Sequence, residues 1–118
     1  MNDDRTIVFL DLTRFTALTD AHGDQAAAAV IDRFIADVAA ALYGRGRLVK
    51  TLGDGVLLEA NDPATAITVA DDVSHRLHDS DRMPELTGGI ATGPVVDRGD
   101  DVLGAVVNLA ARLADLAP

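Results

Sequence analysis

The sequence predicts an α+β fold with the element order βαββαβ, followed by one additional C-terminal helix. Short apolar runs bounded by turn residues alternate with longer segments of helical periodicity. The second and third strands are joined by a tight Gly-Asp-Gly turn and therefore form a hairpin. A right-handed crossover between strands one and two would leave a gap that strand three fills antiparallel, which gives a ferredoxin-like core.

The first strand and the first long helix precede the hairpin. Thr6–Leu12 is a short β-rich run, as expected of a buried strand. A short helical turn is expected to begin near Thr13. From Asp24 to Tyr43 apolar residues recur at spacings of three and four, which predicts an amphipathic helix. Its inward residues would be Ile31, Phe34, Ile35, Val38 and Leu42.

The remaining elements follow in alternation. Leu48–Ala60 contains the hairpin, and Asp62 followed by proline is typical of a helix start. That helix is expected to run to about Ser80, Leu86–Val96 to form a strand, and Val102–Leu116 to form the last helix. The inward residues of the second long helix would be Ile67, Ala70, Val73 and Leu77.

Length, composition and charge exclude several classes of function. A chain of 118 residues fits a single domain, residues 1–118. The absence of cysteine removes disulfides, thiolate catalysis and cysteine–metal sites. A formal net charge of −9 argues against nucleic-acid partners, which require a basic surface. No leader or long apolar stretch is apparent, so a soluble, cytoplasmic protein without a membrane partner is expected.

Two aspartates are predicted to meet at one edge of the sheet. Asp11 ends strand one and Asp54 occupies the turn after strand two. Because these strands run parallel, their C-terminal ends share an edge. Taken singly, Asp11 could be a strand-end cap and Asp54 an ordinary Asp-Gly turn residue. Together they suit Mg²⁺ or Mn²⁺, while backbone N–H groups of Thr13–Thr16 could receive phosphate oxygens.

Lys50 is the only lysine among ten basic residues, and it lies inside a predicted strand. Its alternation places it on the face of Leu48 and Leu52. If that face is covered, the ammonium needs a partner. A snorkelling lysine on an edge strand is the alternative. Because lysine and arginine are not interchangeable, its uniqueness favours a functional role.

The last predicted helix carries three polar residues along one stripe. Asp101, Asn108 and Arg112 fall at i, i+7 and i+11 if the helix includes Asp101. Asp101 could equally be the N-cap, and the other two a polar edge of a core helix. An amide and a guanidinium one turn apart are nevertheless well suited to phosphate and sugar oxygens.

Other chemistries find little support. His75 and His78 lie on the polar side of a surface helix, which makes a metal site there a weak hypothesis. The sequence contains no G-x-S-x-G and no P-loop motif. Neither hydrolase chemistry nor P-loop nucleotide binding is therefore predicted.

The chain resembles the class III nucleotidyl cyclase catalytic domain, adenylyl type. The resemblance rests on four segments in the family's order: VFLDLTRFTAL, GRLVKTLGDGVLLEA, GIATGPVV and GDDVLGAVVNLAARL. It implies an adenylate cyclase that converts ATP to 3′,5′-cyclic AMP and pyrophosphate, with two Mg²⁺ or Mn²⁺ ions per active site. The alternative is a catalytically weak or silent nucleotide-binding or dimerisation module of the same fold.

The resemblance also assigns roles to individual residues. It implies that Lys50 and Asp101 recognise the base, and that Asn108 and Arg112 orient the ribose and stabilise the transition state. A guanylyl cyclase would be expected to carry Glu at position 50. The metal-binding residues would be Asp11, Leu12 and Asp54, and the phosphate-binding residues Thr13, Arg14, Phe15 and Thr16.

In this family the metal aspartates and the other four residues come from different subunits. Because this chain holds both sets, the resemblance implies a homodimer with two equivalent sites.

The sequence departs from the family pattern at three places. Arg14 replaces a common glycine, the VVDRGDD connection is short, and the chain stops at Pro118, before strands that usually supply a second lysine.

Overall fold

A computed structural model describes residues 4–13, 20–21, 23–78 and 85–116 of the chain. We number the strands β1 to β6 and the long helices α1 to α3. The strands are Asp4–Leu12, Gly46–Leu52, Gly55–Ala60, Leu86–Pro94, Val96–Arg98 and Asp101–Leu103. The helices are Asp24–Leu42, Pro63–His78 and Ala105–Leu116.

The sheet topology confirms the predicted fold class. Four strands form one sheet in the order β2-β3-β1-β4, and each neighbouring pair is antiparallel. Strand β3 therefore fills the gap between the co-directional strands β1 and β2. The register places Asp11 opposite Gly55 on β3 and Thr87 on β4. The end of β1 thus lies directly beside the β2–β3 turn.

Helices cover both faces of this sheet. Helices α1 and α2 pack on one face through an aliphatic core that includes Phe34 and Val73. Helix α3 covers part of the other face. The buried residues of that second cluster are Ile7, Leu57, Ala91, Val102, Val106 and Ala110. Strand residues with odd numbers in β1 and β3 face α3, and those with even numbers face α1 and α2.

The two long helices of the first layer largely agree with their predicted boundaries. The Thr65 N–H donates to the Asp62 carboxylate at 2.7 Å, which confirms Asp62 as the N-cap of α2. The predicted inward face was wrong at Ile67, which is 62% exposed, because α2 buries Ala66 and Val69 instead. The short helical turn predicted after Thr13 lies largely outside the described residues.

The predicted C-terminal region needs one correction. Strand β4 ends at Pro94, and Asp101–Leu103 forms a two-stranded ribbon with Val96–Arg98 instead of opening the last helix. Burial of Val102 against α3 holds this ribbon in place. Helix α3 begins only after Gly104, whose φ of +152° favours glycine. None of the helices in the described ranges is long and apolar enough to cross a membrane.

Candidate active site

The structure brings Asp11 and the Asp54 turn together. Asp11 pairs with Gly55, and the Leu12 N–H donates to the Asp54 carbonyl at 3.1 Å. The turn glycine with positive φ is Gly53, at +64°, whereas the sequence pattern suggested Gly55. Gly55 has a different role, since a Cβ there would lie 3.3 Å from Asp11 Oδ1. Its missing side chain leaves space beside the carboxylate.

Asp11 is a partly buried carboxylate that lies beside a second carboxylate. Burial, followed by the negative charge and hydrogen bonding of Asp54, raises the Asp11 pKa to about 6, and the charge of Asp115 contributes a little. The Asp11 Oδ1 atom is buried and has no hydrogen-bond partner among the described residues. Two adjacent carboxylates with an unsatisfied oxygen fit a hard divalent cation.

Few protein ligands surround this candidate metal site. No group of three or more His, Cys, Asp or Glu side chains with suitable geometry exists among the described residues. Mg²⁺ is commonly held by one or two carboxylates and completes its shell with water and phosphate. Leu12, predicted as a third metal-binding residue, has a buried hydrocarbon side chain, so only its backbone carbonyl could contribute an oxygen.

Thr13 is the residue of the predicted phosphate-binding segment that the structure describes. The Thr13 N–H and hydroxyl both donate to the Glu85 carbonyl, at 2.8 and 3.0 Å. Both donors of Thr13 are thus engaged within the chain, and its phosphate-binding role stays a prediction. Arg14, Phe15 and Thr16 lie outside the described residues.

Lys50 and Asp101 meet directly. The Lys50 ammonium donates to Asp101 Oδ2 at 3.0 Å, while the Val102 N–H donates to Oδ1 at 2.8 Å. The hydrogen bond from Lys50, then that from Val102, lowers the pKa of Asp101. The two side chains are 41% and 38% exposed, so both remain accessible to a ligand.

A β-bulge gives Lys50 its orientation. The β2–β3 register shifts between Leu48 and Lys50, which places Leu48 opposite Leu58 and Lys50 opposite Leu57. Leu48 consequently packs toward α1 and α2, while Lys50 lies on the α3 side of the sheet. The predicted common face of Lys50 and Leu48 was wrong for this reason.

Asn108 and Arg112 are exposed on α3. They share a helical stripe with each other but not with Asp101, which belongs to β6. The predicted N-cap alternative for Asp101 also fails, since its carboxylate contacts Lys50 instead of starting the helix. Neither Asn108 nor Arg112 forms a side-chain hydrogen bond or ion pair within the described ranges, so both are available to a ligand.

Asp11, a predicted metal ligand, and Lys50, predicted to recognise the base, lie apart on the same face of the main sheet. Lys50 is opposite Leu57, which is opposite Phe9, and Asp11 lies two residues beyond Phe9. With strands about 4.8 Å apart and a rise of about 3.3 Å per residue, the Cα atoms of Lys50 and Asp11 are about 12 Å apart. Lys50 with Asp101 therefore forms one cluster, and Asp11 with the Asp54 turn forms a second, separate one.

Sequence reasoning missed a charged network beside Lys50. Arg5 contacts both Glu59 and Asp97, and Arg47 contacts Glu59 and the Asp100 carbonyl. Arg5 and Asp97 are 92 positions apart, so no local motif could reveal the contact. By contrast, His75 bonds to the backbone carbonyl one turn earlier in α2, as a surface residue does.

Comparisons with known proteins place this geometry in context. No protein-family model matches the chain. The chain is 42% identical over 111 residues to an adenylate cyclase of Streptomyces coelicolor, which covers 93% of this chain and 29% of that protein. It spans less than a third of the length of this relative and of two further adenylate cyclases, from Glutamicibacter nicotianae and Streptomyces griseus.

Solved structures agree in fold. A bacterial light-regulated adenylyl cyclase superposes with a TM-score of 0.84 at 20% identity, covering 98% of this chain and 40% of that one. The catalytic core of a rhodopsin-guanylyl cyclase with converted specificity, in complex with ATPαS, gives 0.82 at 21% identity, with coverages of 99% and 74%. The fold is therefore that of nucleotidyl cyclase catalytic domains. Together with the sequence similarity, it confirms the predicted resemblance to the class III nucleotidyl cyclase catalytic domain.

Proposed function

We propose that this chain is an adenylyl cyclase that converts ATP to 3′,5′-cyclic AMP and pyrophosphate. The observation that carries the proposal is the 3.0 Å contact between Lys50 and Asp101. Adenine offers N1 as an acceptor and its 6-amino group as a donor. The ammonium of Lys50 donates to N1 and the carboxylate of Asp101 accepts from the amino group. Guanine presents the opposite pattern at these two positions.

The reaction is an in-line displacement at the α-phosphorus. The ribose 3′-oxygen loses its proton and forms a bond to the α-phosphorus, while the bond to the bridging oxygen breaks and pyrophosphate leaves. Asn108 orients the ribose, and the Arg112 guanidinium stabilises the negative charge that grows on the α-phosphate. Asp11 and Asp54 would hold Mg²⁺ or Mn²⁺, two ions per site, and the ions would supply a lowered pKa of the 3′-hydroxyl and positive charge to offset that of the triphosphate.

Each active site is shared between two copies of the chain. Asp11 and Asp54 come from one copy, and Lys50, Asp101, Asn108 and Arg112 from the other. The separation of Lys50 from Asp11 supports this arrangement, as does the lack of internal partners for Arg112 within the described residues. Leu52, exposed on the same face as Lys50, provides apolar area for the contact.

The relatives support the choice of substrate. Proteins named adenylate cyclase match almost the whole of this chain, and one structural neighbour is solved with an ATP analogue. Lys50 and Asp101 are the residues that the adenylyl type is expected to carry. The proposal therefore names ATP and not GTP as the substrate.

The direct test is incubation of the 118-residue chain with ATP and Mn²⁺ and chromatographic measurement of cyclic AMP. We expect product formation that requires the divalent cation and that falls by at least about 100-fold in Asp54→Ala, because charge stabilisation at the transition state is lost. Saturable ATP binding without product would contradict the proposal and indicate the silent nucleotide-binding module. An active Asp54→Ala variant would contradict the metal role of that residue.

A further inference from the structure

The β5–β6 ribbon carries Asp101 but is not part of the main sheet. Strands β5 and β6 pair only with each other in the described part of the chain, and each contains three residues. A ribbon this short is not independently stable. The position of Asp101 therefore depends on the contacts that attach the ribbon to the sheet.

Arg5 makes the shortest of these contacts. Its two terminal nitrogens donate to the two carboxylate oxygens of Asp97, at 2.8 and 2.6 Å. Asp97 belongs to β5 and is opposite Val102, the residue after Asp101. Arg5 belongs to β1, which lies between two neighbouring strands of the main sheet. The bidentate pair thus links the ribbon to a strand that is fixed on both sides.

A second contact reinforces the first. Glu59 on β3 accepts from Arg5 at 2.9 Å and from Arg47 at 3.3 Å, so that one carboxylate orients both guanidinium groups. Arg47 in turn donates to the carbonyl of Asp100 at 3.3 Å. Asp100, which precedes Asp101, and Asp97, on the neighbouring strand of the ribbon, are therefore both held by arginines of the main sheet.

The geometry distinguishes the Arg5–Asp97 pair from an ordinary surface ion pair. Isolated exposed pairs contribute little. A bidentate guanidinium–carboxylate contact fixes direction as well as distance, because both groups are planar. Lysine could not reproduce this, since its ammonium is a single point charge.

We propose that Arg5, acting through Asp97, is a positioning residue that sets the preference of this chain for adenine over guanine. The pair holds the ribbon so that the Asp101 carboxylate stays 3.0 Å from Lys50 and faces the base. Arg5 itself does not touch the nucleotide. The inference rests on the proposed function, because it concerns the selectivity of that same site.

The test uses Asp97→Asn, Arg5→Gln and the double variant in the full chain. Arg76→Gln is the matched control, since it removes a 2.9 Å arginine–aspartate pair from α2 in the opposite layer. Amide hydrogen exchange across residues 96–103 reports on the ribbon without requiring catalysis. The ratio of kcat/KM for ATP and GTP reports on selectivity, and competitive binding of the two nucleotides gives the ratio of their affinities without turnover.

We expect faster exchange in the ribbon and a selectivity ratio lowered about fivefold in Asp97→Asn, mainly through a higher KM for ATP. The double variant should be no worse than Arg5→Gln, because both substitutions break the same contact. Arg76→Gln should leave both measurements unchanged. Unchanged exchange, or faster exchange with unchanged selectivity, overturns the inference. A wild-type chain that binds ATP and GTP but forms no cyclic product overturns the proposed function, and the binding ratio then decides the inference.

Discussion

Lys50 and Asp101 form a hydrogen-bonded ion pair, which depends on the opposite charges of the two side chains. Replacing Lys50 with Glu would remove the donor to adenine N1 and set two carboxylates against each other across the same 3.0 Å contact. A hydrogen bond to a charged group contributes about 1.5–3 kcal/mol, so kcat/KM for ATP should fall about 10- to 100-fold. Steady-state assays with ATP and GTP would measure this. An unaffected rate with ATP would refute the base-reading role of Lys50.

Titration of Asp11 should lower the free energy of unfolding as pH rises, whereas a carboxyl group with a lowered pKa has the opposite effect. Its pKa is raised from 3.8 to about 6, so between these values the native carboxyl keeps a proton that the unfolded chain releases. The native state then binds more protons, and the free energy of unfolding falls as pH rises through this window. Because the group is partly solvated, we expect an effect on the order of 1 kcal/mol.

Urea unfolding at several pH values in the presence of a chelator would measure this effect. The comparison is between the wild-type chain and Asp11→Asn, which cannot titrate, so that shared contributions from other groups cancel. The wild type should lose stability relative to the variant between about pH 4 and pH 6. Excess Mn²⁺ at pH 7 should stabilise the wild type and not the variant. Parallel pH profiles would contradict the shifted pKa.

At the scale of secondary-structure elements, Gly89 sets the distance between β4 and α3. A Cβ at Gly89 would overlap the Ala110 carbonyl oxygen and would lie 2.7 Å from the Ala114 nitrogen. Gly89→Ala must therefore push α3, and with it Asn108 and Arg112, away from the sheet. We expect a loss of about 2–3 kcal/mol in the free energy of unfolding.

The neighbouring Gly88→Ala is the control for this prediction. Its added Cβ would meet the end of the Leu10 side chain at 2.9 Å, which can move more easily than helix backbone. Urea midpoints should therefore fall less for Gly88→Ala than for Gly89→Ala. Equal losses would show that the close approach of α3 is not the determining feature.

The elements also explain how far sequence reasoning reached. The shared edge of Asp11 and Asp54 followed from strand order, because a crossover makes β1 and β2 co-directional. The orientation of Lys50 did not follow, since a bulge at one residue reverses the alternation that the pattern assumes. The start of α3 was misplaced because burial of Val102, a tertiary effect, outweighed local helical periodicity.

At the scale of the whole molecule, the separation of the two residue clusters has a consequence that activity in mixtures can reveal. If the proposed shared sites exist, Asp54→Ala and Arg112→Ala should each inactivate both sites of a homodimer. In a mixed dimer one site carries both substitutions and the other carries neither, provided that each site takes its aspartates and its arginine from different copies. Random equal mixing should therefore restore about one quarter of the wild-type activity, since half of the dimers are mixed and half of their sites are intact.

Asp54→Ala mixed with Asp11→Ala is the matched control, because both substitutions fall in the same cluster and every mixed site keeps one defect. Recovery in the first mixture alone requires sites built from two chains, whereas dimers that show no recovery would mean that Asp54 and Arg112 act within one chain.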